Sequence, residues 1–182
     1  MAVTPSEIRL EPMQVTWAQS GGSDVDFGAT EGGATLNFEF EATDLTADQS
    51  GGNILDSIST MVGATVEVTL KEVSTANLKL LLGDSIGGSR TPDGGSLVQG
   101  LGSGNVFRSM AAQAGALKLI PVGGTAAARS VMAHKAYPIP SSISYSPSDP
   151  STISVTFRCL RDTSVQEDVD ILVIGDITQD FS

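Results

Sequence analysis

The stretch Gly63-Ala64-Thr65-Val66-Glu67-Val68-Thr69-Leu70-Lys71-Glu72-Val73-Ser74-Thr75-Ala76-Asn77-Leu78-Lys79-Leu80-Leu81-Leu82-Gly83 carries two different periodicities. In its first part Ala64, Val66, Val68 and Leu70 alternate with Thr65, Glu67, Thr69 and Lys71, the period of two of a strand with one buried face. From Ser74 the period changes. A good N-cap residue is followed by Ala76, Leu78, Leu80, Leu81 and Leu82, and Gly83 offers a left-handed stop, so the spacing predicts a short helix. Only Asn77 and Lys79 interrupt its apolar surface, which exceeds what one sheet beneath it covers and implies a second partner.

On the N-terminal side of this unit, Leu36, Phe38, Phe40 and Ala42 alternate with Thr35, Asn37, Glu39 and Glu41, which predicts a second strand with an acidic outer face. Between the two strands, residues 44–62 hold Asp48-Gln49-Ser50-Gly51-Gly52-Asn53 and then Ile54, Leu55, Ile58 and Met61. That is long for a hairpin connection and too apolar for a solvent loop, so it is expected to pack on something. Residues 1–20 read as an arm in which Glu7 to Trp17, broken by Pro12, is extended or forms two short strand pieces, and residues 83–104 as a glycine-rich, irregular loop. Further on, residues 106–114 suggest one or two helical turns, and Leu117 to Val122 with Arg129 to Ala136 a hairpin. Pro138 to Pro150 read as a proline-rich link ending in a turn, Ile153, Val155, Phe157 and Cys159 mark a third firm strand, and Ile171 to Ile174 a short last one. These elements predict a single domain over residues 1–182, mainly β: a two-sheet sandwich or barrel with one flanking α-helix.

A net charge of -11 over 182 residues argues against a surface that binds nucleic acid by neutralising phosphates. The lone Cys159 rules out an internal disulfide, which points to folding in the cytoplasm. No apolar run approaches the roughly 20 residues of a membrane-spanning helix, and the first residues lack the pattern of a signal peptide, so neither membrane insertion nor export is expected.

Motifs for chemistry are sparse. Gly83-Asp84-Ser85-Ile86-Gly87 is a literal G-x-S-x-G, but a nucleophile elbow needs a strand before the serine and a helix after it, and the predicted order here is the reverse. A serine hydrolase using Ser85 and His134 is therefore the alternative reading. Gly100 to Gly104 lacks the Lys and Ser/Thr of a phosphate loop. Asp24, Asp26 and Glu31 resemble a calcium loop only loosely, and His134 with Cys159 falls short of four zinc ligands. No catalytic, cofactor or metal site is expected.

In order and spacing, the residues resemble a known family. Asp26-Phe27-Gly28-Ala29-Thr30-Glu31-Gly32-Gly33 before a strand, Asp48-Gln49-Ser50-Gly51, the strand and helix of residues 63–83, Lys135-Ala136, and Val155-Thr156-Phe157 followed by Arg161-Asp162 resemble the tail tube proteins (major tail proteins) of long-tailed bacteriophages. The resemblance spans nearly the whole chain. It implies a structural virion protein with no catalysis, made in the host cytoplasm, whose hexameric rings stack into the tube that conducts the genome. Tube subunits of contractile tails, tailocins and type VI secretion share that fold and remain open as relatives. The implied partners are further copies of the chain, the tape measure protein and phage DNA in the lumen, and the tail terminator and distal tail proteins. Carried onto this sequence, the resemblance assigns Asn37, Glu39, Glu41, Thr65, Glu67 and Thr69 to the lumen. It assigns Asp48, Asn53, Ile54, Leu55, Ile58 and Met61, in a stacking loop over 44–62, to ring contacts. Leu78, Leu81 and Leu82 are expected to divide between the subunit's own sheet and its ring neighbour.

Overall fold

The structure, a computed structural model, describes residues 12–90, 98–101, 106–107, 109–122 and 129–179, without the side chains of residues 50, 83–90 and 98–101. The first half of the N-terminal arm, much of the glycine-rich loop and the tip of the predicted hairpin at residues 123–128 lie outside the described residues.

Eight strands form one antiparallel sheet. In chain order they are β1 (Met13–Trp17), β2 (Val25–Asp26), β3 (Thr30–Thr46), β4 (Ile54–Leu70), β7 (Gly115–Pro121), β8 (Ser130–Ser144), β9 (Thr152–Leu160) and β10 (Val173–Gly175). The sheet order is β2-β1-β7-β8-β9-β4-β3, with β10 added on β8. Among the described residues, a two-stranded sheet of β5 (Gly87–Arg90) and β6 (Val98–Leu101) and a single α-helix, α1 (Thr75–Ile86), complete the fold. The chain is thus mainly β with one helix, as expected, but the strand order has two ends and is not a closed barrel.

The sheet is nevertheless strongly curled. Laid flat, β2 and β3 at its two ends would stand roughly 29 Å apart, six strand spacings of about 4.8 Å. Yet only Phe27, Gly28 and Ala29 join them, a connection that reaches about 14 Å at most. The edges therefore come together at this corner, and the concave face encloses the core. Phe27 sits there fully buried, its ring 6.0 Å from that of Phe157, which in turn lies 6.3 Å from Trp17. The Trp17 indole N–H donates to the Ala136 carbonyl at 2.9 Å, so the one polar atom of this large side chain is satisfied inside the core. At the β1 edge the chain packs too closely for any side chain at Gly115, where a Cβ would lie 1.7 Å from the Ala18 carbonyl oxygen.

Alternation places the core as the sequence predicts on the central strands. Val66, Val68 and Leu70 of β4 lie opposite Phe157, Val155 and Ile153 of β9, all buried. Leu117 and Leu119 of β7 face Ala133 and Val131 of β8, which bears out the predicted hairpin. Cys159 is buried, and burial, with a smaller push from Glu39, raises its thiol to about 11, so it packs as a neutral group.

Four expectations are corrected. The helix does begin at Ser74, whose Oγ accepts from the Asn77 backbone N–H at 3.1 Å, but it runs through Gly83 to Ile86 instead of stopping there. The expected link from Pro138 continues β8 to Ser144, pairing with β9. Two prolines spaced by two lose their N–H groups on one edge of a strand, and β8 has such an unpaired edge here because β7 reaches only to Ala136. The turn after it holds, with Ser146 Oγ accepting from the N–H groups of Ser148 and Asp149. Among the described residues of 106–114 there is one 3-10 turn, Met110–Ala112. Finally, residues 44–62 are not a loop. β3 and β4 are each 17 residues long and pair from Thr30 and Leu70 out to Thr46 and Ile54, so most of that segment is a β-hairpin arm.

Candidate functional site

Three surfaces follow from the β3–β4 hairpin: an acidic face at its root, an apolar arm at its tip, and a groove beneath it.

The acidic face lies opposite the core side of the sheet. Glu67 pairs with Thr35, Thr65 with Asn37, Gly63 with Glu39 and Met61 with Glu41, so the six residues read from alternation as one face do share a face. The Asn37 amide donates to Glu67 Oε1 at 3.1 Å across the strands. Glu41 and Glu67 are exposed, while Asn37, Glu39, Thr65 and Thr69 are half-buried. β9 extends the face with Ser154, Thr156 and Arg158, opposite Thr69, Glu67 and Thr65. The exposed Arg158 was legible as an outward residue, since it alternates with buried Phe157 and Cys159; its place beside the carboxylates depends on strand order, which no local pattern contains.

In the arm, the register slips twice. Glu41 pairs with Met61 but Ala42 with Ser59, and Leu45 pairs with Asp56 but Thr46 with Ile54, so Thr60 and Leu55 are extra residues in β4. The first slip moves Ile58 onto the face of Glu41 and Met61, beside Thr43 and Leu45. The second pushes Leu55 out of the ladder. Ile54 is 61% exposed, Leu55 62% and Ile58 51%. Asp48 opens a 3-10 turn at the tip, closed by Gly51 in the left-handed conformation (φ 66). Nothing among the described residues covers this ribbon, so none of them is the expected packing partner.

The groove is the feature that sequence reading missed. Alternation placed Phe38 and Phe40 on the core side, and that is the side they occupy, but β3 is the last strand of the sheet and the described residues leave them uncovered. Their rings stack with centroids 6.4 Å apart and remain 54% and 69% exposed. Together with Val62, Ile171, Leu172 and Ile174 they line a groove of about 540 Å³. Its far wall is the segment 161–172, closed on itself by contacts of Arg161 and Asp162 and tied to β8 by the Lys135–Asp162 ion pair. Arg161 pairs with Asp170 and, at 3.0 Å, with Glu167, Lys135 with Asp162 at 2.9 Å, and the Asp162 N–H donates to the Asp170 carbonyl at 2.8 Å.

Burial works to raise the Asp162 pKa, yet hydrogen bonds from Lys135 and Ser164 outweigh it and hold the carboxyl below the usual range. A carboxylate depressed in the folded state stabilises above its unfolded value of about 3.8 and loses that contribution as pH falls through the lower folded value. Amide hydrogen-exchange protection over residues 161–172, taken relative to the intrinsic rate at each pH, is therefore expected to fall on acidification below about pH 4. Asp162→Asn should flatten that pH dependence, and an unchanged acid response in this variant would show that the pair does not hold the wall. His134, half-buried behind it, has its pKa lowered by burial against the opposing pull of Asp162 and Asp170.

The remaining expected residues are dispersed. Leu81 is 1% exposed inside the subunit's own core, Leu78 packs against that core, and Leu82 is half-buried near Tyr137 and Pro138. α1 also lies beside β6, so a second partner for the helix exists within the chain. Asp24 bonds Lys118 at 2.6 Å, Asp26 accepts from Gln14 at 2.7 Å, and Glu31 pairs with Lys71 at 3.5 Å, three separate engagements and no shared cradle. Ser85 falls in the last turn of α1 ahead of β5, not on a strand-to-helix turn, and its side chain is outside the described set. Among the described residues no helix is long and apolar enough to cross a membrane. No family model matches the chain, and no curated protein matches it either.

Proposed function

We propose that the chain is a tail tube subunit of a long-tailed bacteriophage or a related tube, a structural protein that assembles into stacked hexameric rings. One observation carries this reading: a single long hairpin combines an acidic, solvent-facing root with a tip whose apolar residues find no cover among the described residues. A two-stranded ribbon on its own is marginally stable in water, and one that exposes Ile54, Leu55 and Ile58 needs another molecule against it. The ring-stacking role implied by the family resemblance supplies that molecule as a second copy, in place of the loop expected there.

The root fits the lumen role. Glu39, Glu41 and Glu67 present like charges to phosphates, and their repulsion reaches about 8 to 10 Å at physiological salt. Such a wall holds DNA off without binding it. Arg158 tempers the field locally and leaves its sign unchanged. On this reading the curled sheet, with α1 against it, stands for the two-layered tail tube fold, and the virion is where the protein works. Tailocin and secretion tubes would use the same surfaces.

The arm provides the test. Ile54→Asp together with Ile58→Asp places two carboxylates on the uncovered ribbon, where the folded subunit loses little because both positions are exposed. Rings without tubes are expected in negative-stain images, with tube formation shifted by at least about tenfold in protein concentration. Tubes of ordinary length at the ordinary concentration would refute the stacking role.

A further inference from the structure

We infer that the arm tip of one copy docks in the groove at the arm root of the next copy, with Ile54 and Leu55 entering between Phe38 and Phe40 on one side and Ile171 and Ile174 on the other. This rests on the tube reading and names the surface that receives the arm.

Donor and acceptor are both apolar, both uncovered among the described residues and matched in kind. The groove of about 540 Å³ has room for more than one aliphatic side chain, and its aromatic wall is more than half exposed. At the tip, the register slip between Leu45 and Thr46 lifts Leu55 out of the ladder, the way a bulge re-aims a side chain toward a partner. The two surfaces also belong to one ribbon: Phe40 and Val62 pair at its root, Thr46 and Ile54 at its tip. A subunit cannot fold its own tip onto its own root while the ladder between them is intact. A contact between different surfaces of two copies leaves a free tip at one end and a free groove at the other, so it repeats and grows a filament with a direction. That is the growth a stacked tube requires.

Charge argues that the contact is apolar in origin. Asp48 and Asp56 flank the tip, and Glu167, Asp168 and Asp170 line the groove with Arg161, whose charge is already engaged by Glu167 and Asp170, so the two surfaces meet with a net excess of like charge. Salt screens that repulsion, so stacking should strengthen as ionic strength rises, the reverse of an interface held by ion pairs.

The test uses the full chain with Leu55→Cys and Ile174→Cys together, and each alone as a control; both positions are exposed, and the native Cys159 is buried. Samples are assembled at low and high salt, imaged, oxidised and run on a non-reducing gel. Tubes with a disulfide ladder extending past the dimer in the double variant, against dimers at most in the single ones, is the expected result. Tubes without that ladder would overturn the docking and leave the tube reading standing. A failure of the unsubstituted chain to assemble at any salt or concentration would overturn both.

Discussion

Phe157→Ala is expected to lower the unfolding free energy by about 3–5 kcal/mol, the cost of emptying a large aromatic site that neighbouring groups cannot collapse to fill. Phe157 is fully buried and is the ring that Trp17 from β1 and Phe27 from the β2–β3 connection both touch. Removing it takes away the contact that holds the curled sheet together across its concave face. Domains of this size are stable by about 5–15 kcal/mol in total, so the variant should unfold at much lower urea concentration or fail to accumulate. Phe40→Ala is the matched control. Its ring is 69% exposed, and truncation should cost under about 1 kcal/mol in the isolated subunit. Equal losses for the two would contradict the placement of the core.

The second large effect concerns charge. Glu39→Lys, Glu41→Lys and Glu67→Lys together reverse three charges on the face assigned to the lumen. All three sit on the outward side of β3 and β4, and none is buried, Glu39 being half-buried and Glu41 and Glu67 exposed, so folding should survive. DNA inside a tube lined this way would meet a ring of cations instead of a repelling wall. Binding to phosphates releases counterions and is steeply salt-dependent, so release of DNA from virions carrying the variant should slow by at least about tenfold and recover as salt is raised. Unchanged release kinetics would refute the assignment of this face.

Much of the centre of the fold is legible in the sequence. β4 and β9 read correctly because each is flanked on both sides by other strands and presents one face to the core, the condition under which alternation and burial coincide. For the same reason the six expected lumen residues do share a face. Alternation says which way a side chain points, though not whether anything stands there. That is why Phe38 and Phe40, on the right side of the sheet, are exposed: β3 is an edge.

The arm was misread for a related reason. Gly51-Gly52 and the two register slips interrupt the period of two, so a long hairpin looked like a loop, and Ile58 and Leu55 ended on surfaces that a regular count would not assign. Pro138 and Pro140 read as breakers because propensity carries no knowledge of a free strand edge. Gly83 read as a helix stop because an internal glycine costs about 1 kcal/mol, a penalty that packing of the helix can offset. In each case the missing information was tertiary: which strand lies next, and which edge is open.

The central claim is that this chain builds a tube, and the most direct measurement is negative-stain electron microscopy of the purified full chain across a range of protein and salt concentrations. Six-fold rings that stack into unbranched tubes of uniform diameter are the predicted result, more abundant at higher salt. A particle that remains a monomer under every condition, with Ile54, Leu55 and Phe40 still open to solvent, would contradict it.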